Sequence, residues 1–252
     1  MLSFSTPQLG TLDGQVRRQA ADRLVAHVHR HFTRPARLAG PAAVQALVDS
    51  CFAEAPPLGL HSERDLVYLA SLKLYFGAGF RQDPLCQHVA SILSRDDVAT
   101  PAARISRCWR ESMAAYDEFA GAQGQHHDAA LQRLGTRGLG RLLHDDGPLD
   151  SRIATELLAE VWPERHTWLM LHDPQALPGL MTQVSALAQA EGVVTRGAAR
   201  VLLLTSFVFG TGFVTDPMLA PLGGMLRDGA GLEPAAVAEA DAFLARINDP
   251  GA

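Results

Sequence analysis

One motif occurs twice in this chain, first as Phe76-Gly77-Ala78-Gly79-Phe80-Arg81-Gln82-Asp83-Pro84 and then as Phe209-Gly210-Thr211-Gly212-Phe213-Val214-Thr215-Asp216-Pro217. The second copy begins 133 residues after the first, since 209 minus 76 is 133. The same offset aligns further residues on both sides of the motif: Pro41 with Pro174, Leu47 with Leu180, Gly59 with Gly192 and Leu93 with Leu226. A constant offset of this kind is typical of a duplicated structural unit. We therefore predict an internal duplication.

The residues of the motif predict a helix, a tight turn and a new helix in each copy. Gly77 and Gly210 follow an apolar helical pattern, at the place where helices commonly end on a glycine in the left-handed conformation. Asp83 and Asp216 suit N-cap positions, and the proline after each of them suits the first position of a helix. In this interpretation the glycines turn the chain, the phenylalanines fill the core and the aspartates cap helices.

The remaining sequence also has helical periodicity and no alternation typical of a strand. Ser62 with Asp65 resembles a capping box, and Thr195 occupies the equivalent N-cap position in the second copy. Further helices are predicted over Gln15 to Phe32, Thr100-Pro101 to Ala120, His127 to Leu143 and Glu233-Pro234 to Ile247. The fold class is predicted to be all-α, with two tandem diverged repeats forming a two-lobed helical bundle.

The repeat also predicts the domain organisation. Residues 1–125 would hold the first repeat with a following helix, and residues 126–252 the second repeat with a C-terminal helix. The two could also pack as one domain. The stretch from Gly121 to Asp128 is predicted to be an exposed loop at the boundary.

Composition and charge exclude several classes of protein. Of 252 residues, 47% are hydrophobic and 19% charged, which is typical of a globular protein. The formal net charge of −5 argues against a nucleic-acid partner. The segment Met1 to Gly14 lacks the pattern of a signal peptide, and the longest apolar run, Val201 to Phe209, is too short to span a bilayer. Three cysteines without a CxxC pair fit reduced thiols, so a cytoplasmic protein without membrane contact is predicted.

The repeated motif is the first candidate for chemistry. Asp83 and Asp216 could form a symmetric pair of acids, and the glycines could hold a phosphate. A phosphate-binding loop, however, needs a preceding strand and a following Lys-Ser or Lys-Thr, and the motif has neither. The structural interpretation is therefore favoured.

The other candidates for chemistry are histidines, a cysteine and paired carboxylates. His27 and His31 have the i, i+4 spacing of a zinc pair, but no third ligand is evident. Cys86 lies near a helix start, where the dipole can lower a thiol pKa, although a buried, inert cysteine is favoured. The carboxylate pairs Asp96-Asp97 and Asp145-Asp146 fit turns. No catalytic, cofactor-binding or metal-ligating residue is assigned, no cofactor is expected, and the protein is predicted not to be an enzyme.

Three short motifs resemble a bacterial family. They are Arg23 to Phe32, Gly59 to Leu66 and Tyr75 to Pro84, and the match covers about residues 10 to 95. The sequence is similar to small bacterial proteins whose genes tend to lie beside type VI secretion spike, PAAR-like and effector genes. It departs from that family at Arg81, where an acid is usual, and at Leu85-Cys86-Gln87-His88, where Leu-Pro-Trp-Ala is usual.

The resemblance implies an accessory protein of a type VI secretion system. Such a chaperone or adaptor would bind an effector or a spike component, so a protein partner is expected. The alternative is an immunity protein that neutralises a cognate toxin in the cytoplasm, because an acidic surface can complement a basic nuclease. A hydrolase that uses Asp83, Asp216 or His27 is a further alternative.

Overall fold

In a computed structural model, residues 6–95, 100–226 and 232–249 are described, and this part of the chain is helical without a strand. The prediction of an all-α fold is confirmed. The α-helices are α1 Thr6–His31, α2 Thr33–Ala39, α3 Pro41–Glu54, α4 Glu63–Phe76, α5 Gln87–Leu93, α6 Pro101–Ala120, α7 Gln125–Arg137, α8 Leu139–Leu143, α9 Ser151–Val161, α10 Pro163–His172, α11 Ala176–Ala190, α12 Arg196–Phe209, α13 Ala220–Gly223 and α14 Pro234–Asn248. None of the described helices is long and apolar enough to cross a bilayer.

Three of the predicted helix starts are confirmed, whereas the helix predicted from Gln15 begins earlier, at Thr6. The hydroxyl of Ser62 accepts from the amide of Asp65 at 3.2 Å, and the Asp65 carboxylate accepts from the Ser62 amide at 3.0 Å. This is the capping box at the start of α4. Thr195 caps α12 by accepting from the amide of Ala198 at 3.1 Å, and Thr100 caps α6 in the same way. Local hydrogen bonds therefore fix where these three helices begin.

The helices that carry the motif have matching bounds in the two halves. Both α4 and α12 contain 14 residues, and α12 begins 133 residues after α4, since 196 minus 63 is 133. Each is followed by a short 3₁₀ helix, Pro84–Cys86 and Pro217–Leu219, again 133 residues apart. The predicted N-caps are confirmed, because the aspartate before each 3₁₀ helix accepts a hydrogen bond from an amide in it.

The glycines that end α4 and α12 adopt a conformation other than the predicted left-handed one. Gly77 has φ 88° and ψ 153°, and Gly210 has φ 86° and ψ 156°. The positive φ was expected, but ψ is extended, in a region that glycine alone adopts readily. The physical reason is that the chain leaves each helix towards the other motif, and a Cβ on Gly77 would lie 2.9 Å from the carbonyl oxygen of Phe209.

The buried core extends through both halves of the sequence. One cluster of buried apolar side chains includes Leu69 and Phe80 from the first half and Leu202 and Phe213 from the second. A smaller cluster places Met218 against residues of α1, α2 and α3. Phe80 and Phe213 are fully buried, as the structural interpretation of the motif requires.

Two sequence predictions around residue 125 are corrected. The expected loop from Gly121 to Asp128 is shorter, because Gly121 is buried and α7 already begins at Gln125. The expected single helix from His127 to Leu143 is divided into α7 and α8 at Gly138. The carboxylate of Asp241 in α14 stabilises the start of α8, since it accepts hydrogen bonds from the first two amides of α8 at 2.6 and 2.8 Å.

Candidate functional site

The two copies of the motif contact each other through reciprocal hydrogen bonds. We call residues 77–83 and 210–216 the paired turns. One oxygen of Asp83 accepts from the amide of Thr211 at 2.6 Å, and one oxygen of Asp216 accepts from the amide of Ala78 at 2.9 Å. The second oxygen of each carboxylate accepts from the amide two residues further along its own chain, at 2.8 and 2.9 Å. Each aspartate thus caps its own 3₁₀ helix and binds the opposite turn.

Glycine is required where the backbones of the paired turns meet. A Cβ added to Gly79 would lie 3.0 Å from Cα of Gly212, and one added to Gly212 would lie 2.8 Å from Cα of Gly79. Side chains at these positions would therefore separate the turns. The amides of Ala78 and Thr211, which a phosphate would need, already donate to the aspartates. The contacts match the structural interpretation of the motif.

The two aspartates are buried. Asp83 is 1% exposed and Asp216 is 5% exposed. Burial raises the pKa of Asp83, and hydrogen bonds from Leu85 and Thr211 and the charge of Arg165 oppose the shift. Burial also raises the pKa of Asp216, and hydrogen bonds from the amides of Ala78 and Met218 and the charge of Lys73 oppose the shift. Both carboxylates are occupied by backbone donors.

A cleft of about 300 Å³ lies beside the paired turns. We call it the central cleft. Its walls come from both halves of the sequence and include the C-terminal ends of α4 and α12 and residues of α6, α7, α10 and α14. Seven Phe, Tyr and Trp side chains line it: Tyr75, Phe76, Tyr116, Phe119, Trp162, Phe209 and Phe243. Concave, largely apolar surfaces with a few polar groups are typical of binding sites.

Arg165 is a buried cation in the wall of the central cleft. Its exposed fraction is 6%. The guanidinium lies over the rings of Phe119, Trp162 and Phe207 at 5.6, 5.0 and 5.6 Å from their centroids. Its Nη1 donates to the carbonyl oxygen of Phe207 at 2.6 Å. No carboxylate among the described residues forms an ion pair with it, and its charge acts from a greater distance on Asp83.

Lys73 is the second buried cation of the cleft, and it has a partner. It interrupts the apolar face of α4 and is 2% exposed. Its ammonium group donates to the carboxylate of Glu54 and, at 3.1 Å, to the hydroxyl of Ser50, both on α3. The lone lysine in an apolar helix face was visible in the sequence, but its partner was not.

The histidine and cysteine candidates do not come together in a reactive group. His27 and His31 are adjacent, with ring centroids 4.5 Å apart, yet the described residues include no set of three metal-ligating side chains. Cys86 is buried, and burial raises the pKa of its thiol. His127 lines the central cleft, where burial and, to a smaller extent, Arg165 lower its pKa to about 4.

Of the two candidate carboxylate pairs, the structure describes Asp145-Asp146. Asp145 contacts Arg200 through an ion pair of 3.5 Å and an additional hydrogen bond to its backbone carbonyl. Asp96 and Asp97 lie outside the described residues.

No protein-family model, no curated protein and no solved structure matches this chain.

Proposed function

We propose that the protein is a non-enzymatic adaptor or chaperone that holds a protein partner in the central cleft. The observation that carries this proposal is the aromatic wall of the cleft, in which Tyr75 is 37% exposed at the surface and Arg165 has no carboxylate partner among the described residues. Aromatic residues and arginine are the side chains most enriched among the anchors of protein interfaces.

The resemblance to bacterial proteins encoded beside type VI secretion genes supports a secretion protein as the partner. We propose that the partner is an effector or a spike component of a type VI secretion system, bound in the cytoplasm before loading. An aromatic cleft can cover an apolar segment of such a partner until it is delivered. The partner would be released when that segment is taken up elsewhere.

We also propose that the cleft arose by duplication. In this proposal residues 1–125 and 126–252 are diverged copies that form two lobes. The shared offset of α4 with α12, and the similar angles at Gly77 and Gly210, support it. The cleft would then lie where the two copies meet, and its walls would differ because the copies diverged: Arg165 in the second copy aligns with Phe32 in the first, since 165 minus 133 is 32.

Co-expression with the products of the neighbouring genes tests the proposal. The tagged chain should retain an effector or spike protein through purification, and its deletion should lower the level or delivery of that protein. Tyr75→Ala should weaken the complex at least about tenfold, as expected for an interface anchor, whereas Tyr75→Phe should retain it. Val194→Ala is the matched control, because Val194 is an apolar residue 92% exposed that does not line the cleft.

Two results would overturn the adaptor proposal. The first is a chain that forms no complex and has no effect on effector level or delivery. The second is protection of a toxin-expressing cell without any secretion apparatus, which would identify an immunity protein instead. Turnover of a substrate by the purified chain would contradict the non-enzymatic part of the proposal.

A further inference from the structure

The described residues use little of the hydrogen-bonding capacity of Arg165. A guanidinium has five N–H donors in a planar fork. Within the described part of the chain one of them has an acceptor, the carbonyl oxygen of Phe207. Because the side chain is 6% exposed and lines the central cleft, water has little access to the remaining donors except through the cleft. A buried charge without a paired anion is unfavourable, so this site is suited to receive one.

Asp83, Asp216 and Asp128, the aspartates at or beside the cleft, are either occupied by backbone donors or exposed. Both oxygens of Asp83 accept backbone amides, and so do both oxygens of Asp216. Asp128 lines the cleft but is exposed. His127, beside Trp162, has a lowered pKa, so neutral imidazole faces the cleft near pH 7.

The cations that line the cleft outnumber its acids. Lys73 is neutralised by Glu54, and Arg34 donates to the carbonyl oxygens of Ile247 and Asp249. Arg165 also lies in the first turn of α10, where the helix dipole favours an anion. The carbonyl oxygen of Phe207, in the last turn of α12, accepts from one nitrogen of the guanidinium, Nη1.

On the basis of the proposed function, we infer that the central cleft binds an acidic peptide segment of the partner. A carboxylate of that segment pairs with the guanidinium of Arg165, and the aromatic or large aliphatic side chain next to it packs against Phe119, Trp162 and Tyr116. The volume of about 300 Å³ is at the lower end for a ligand pocket, and suits one large residue with its carboxylate. The planar fork of arginine matches a carboxylate through two parallel hydrogen bonds.

The full chain can be tested with small probes. N-acetyl-phenylalanine carries both groups, its amide lacks the negative charge, and acetate lacks the ring. We expect calorimetry or NMR titration to show N-acetyl-phenylalanine binding at least about tenfold more tightly than either of the other two, the range of a hydrogen bond to a charged group. Short peptides with either a C-terminal or a side-chain carboxylate next to phenylalanine then identify which carboxylate the site accepts.

Arg165→Gln should abolish the preference of the acid over the amide. Arg165→Lys keeps the charge without the fork and should retain part of the preference. Arg152→Gln is the matched control, because Arg152 is an exposed arginine paired with Glu156 outside the cleft. Thermal unfolding of each variant shows whether it is folded, and the comparison of acid and amide on the unaltered chain needs no variant.

Three outcomes would overturn the inference: equal binding of acid and amide, equal binding of acetate and N-acetyl-phenylalanine, or an unchanged preference in a folded Arg165→Gln variant. The second outcome would identify a simple anion site. Failure of the inference is distinguishable from failure of the adaptor proposal. If Tyr75→Ala loses the partner while acid and amide bind equally, the adaptor stands and the ligand class is wrong. If the acid binds through Arg165 and no partner is retained, the ligand class stands and the adaptor is wrong.

Discussion

Replacing Asp83 by asparagine tests the role of the paired turns in stability. Asparagine has nearly the same shape, but it offers one acceptor oxygen and one donor group, whereas both oxygens of Asp83 accept amides. Either Leu85 or Thr211 must then lose its acceptor and face an N–H group. Leaving one buried donor unsatisfied costs about 1–3 kcal/mol.

The expected change is large enough to measure by thermal or urea unfolding at pH 7, followed by circular dichroism. For a chain of this size about 1 kcal/mol corresponds to a change of roughly 2–4 °C in Tm, so Asp83→Asn should lower Tm by about 2–12 °C. Asp216→Asn should have a similar effect, because its carboxylate makes the same two kinds of hydrogen bond.

An exposed aspartate provides the control. Asp150 caps α9 through one oxygen, which accepts from the amide of Ile153 at 2.8 Å. Asparagine is an equally good N-cap, so Asp150→Asn should change stability by less than about 0.5 kcal/mol. A stability of Asp83→Asn equal to that of the unaltered chain would refute this reasoning, and so would an equal loss in Asp150→Asn.

Two further predictions concern buried titratable groups. Burial lowers the pKa of His88 and of His127 to about 4 in the folded protein, whereas a histidine in the unfolded chain has a pKa of about 6.5. The stability that these neutral histidines contribute is therefore complete above about pH 6.5 and is lost as the pH falls towards about 4. His88→Leu should reduce the slope of unfolding free energy against pH in this window by up to about 1.4 kcal/mol per pH unit, and an unchanged slope would contradict the assignment. Glu54→Ala should lower the free energy of unfolding in urea by about 1–3 kcal/mol, because it leaves the buried ammonium of Lys73 unpaired. Lys73→Met removes that charge and should lower it by less than about 1 kcal/mol. The opposite order of the two variants would contradict this account.

The sequence alone predicted the helical class and many element boundaries. Thr100, Thr195 and Ser62 act through hydrogen bonds to amides three residues away, so their effect depends on neighbours in the chain. The same holds for the caps at Asp83 and Asp216, whose acceptors bind amides two residues further on. Interactions of this range can be recognised from residue type and spacing.

The tertiary structure alone showed what the two motifs do together. The hydrogen bond from Thr211 to Asp83 spans 128 residues, and the contact of Gly79 with Gly212 depends on how two distant turns approach. The same is true of the ψ angle of Gly77, which was predicted incorrectly because it depends on the opposite turn.

The repeated motif thus predicted local turns and caps, while the central cleft and the guanidinium of Arg165, which has no carboxylate partner in the described ranges, became visible only in the tertiary structure. The cleft is lined by aromatic side chains from α4, α6, α12 and α14 together with Trp162, and nothing in their spacing indicates that they meet. Hydrogen bonds between near neighbours are specified by the sequence pattern. The shape and charge of a surface that joins both halves depend on packing over long separations, which one sequence does not encode in any local pattern.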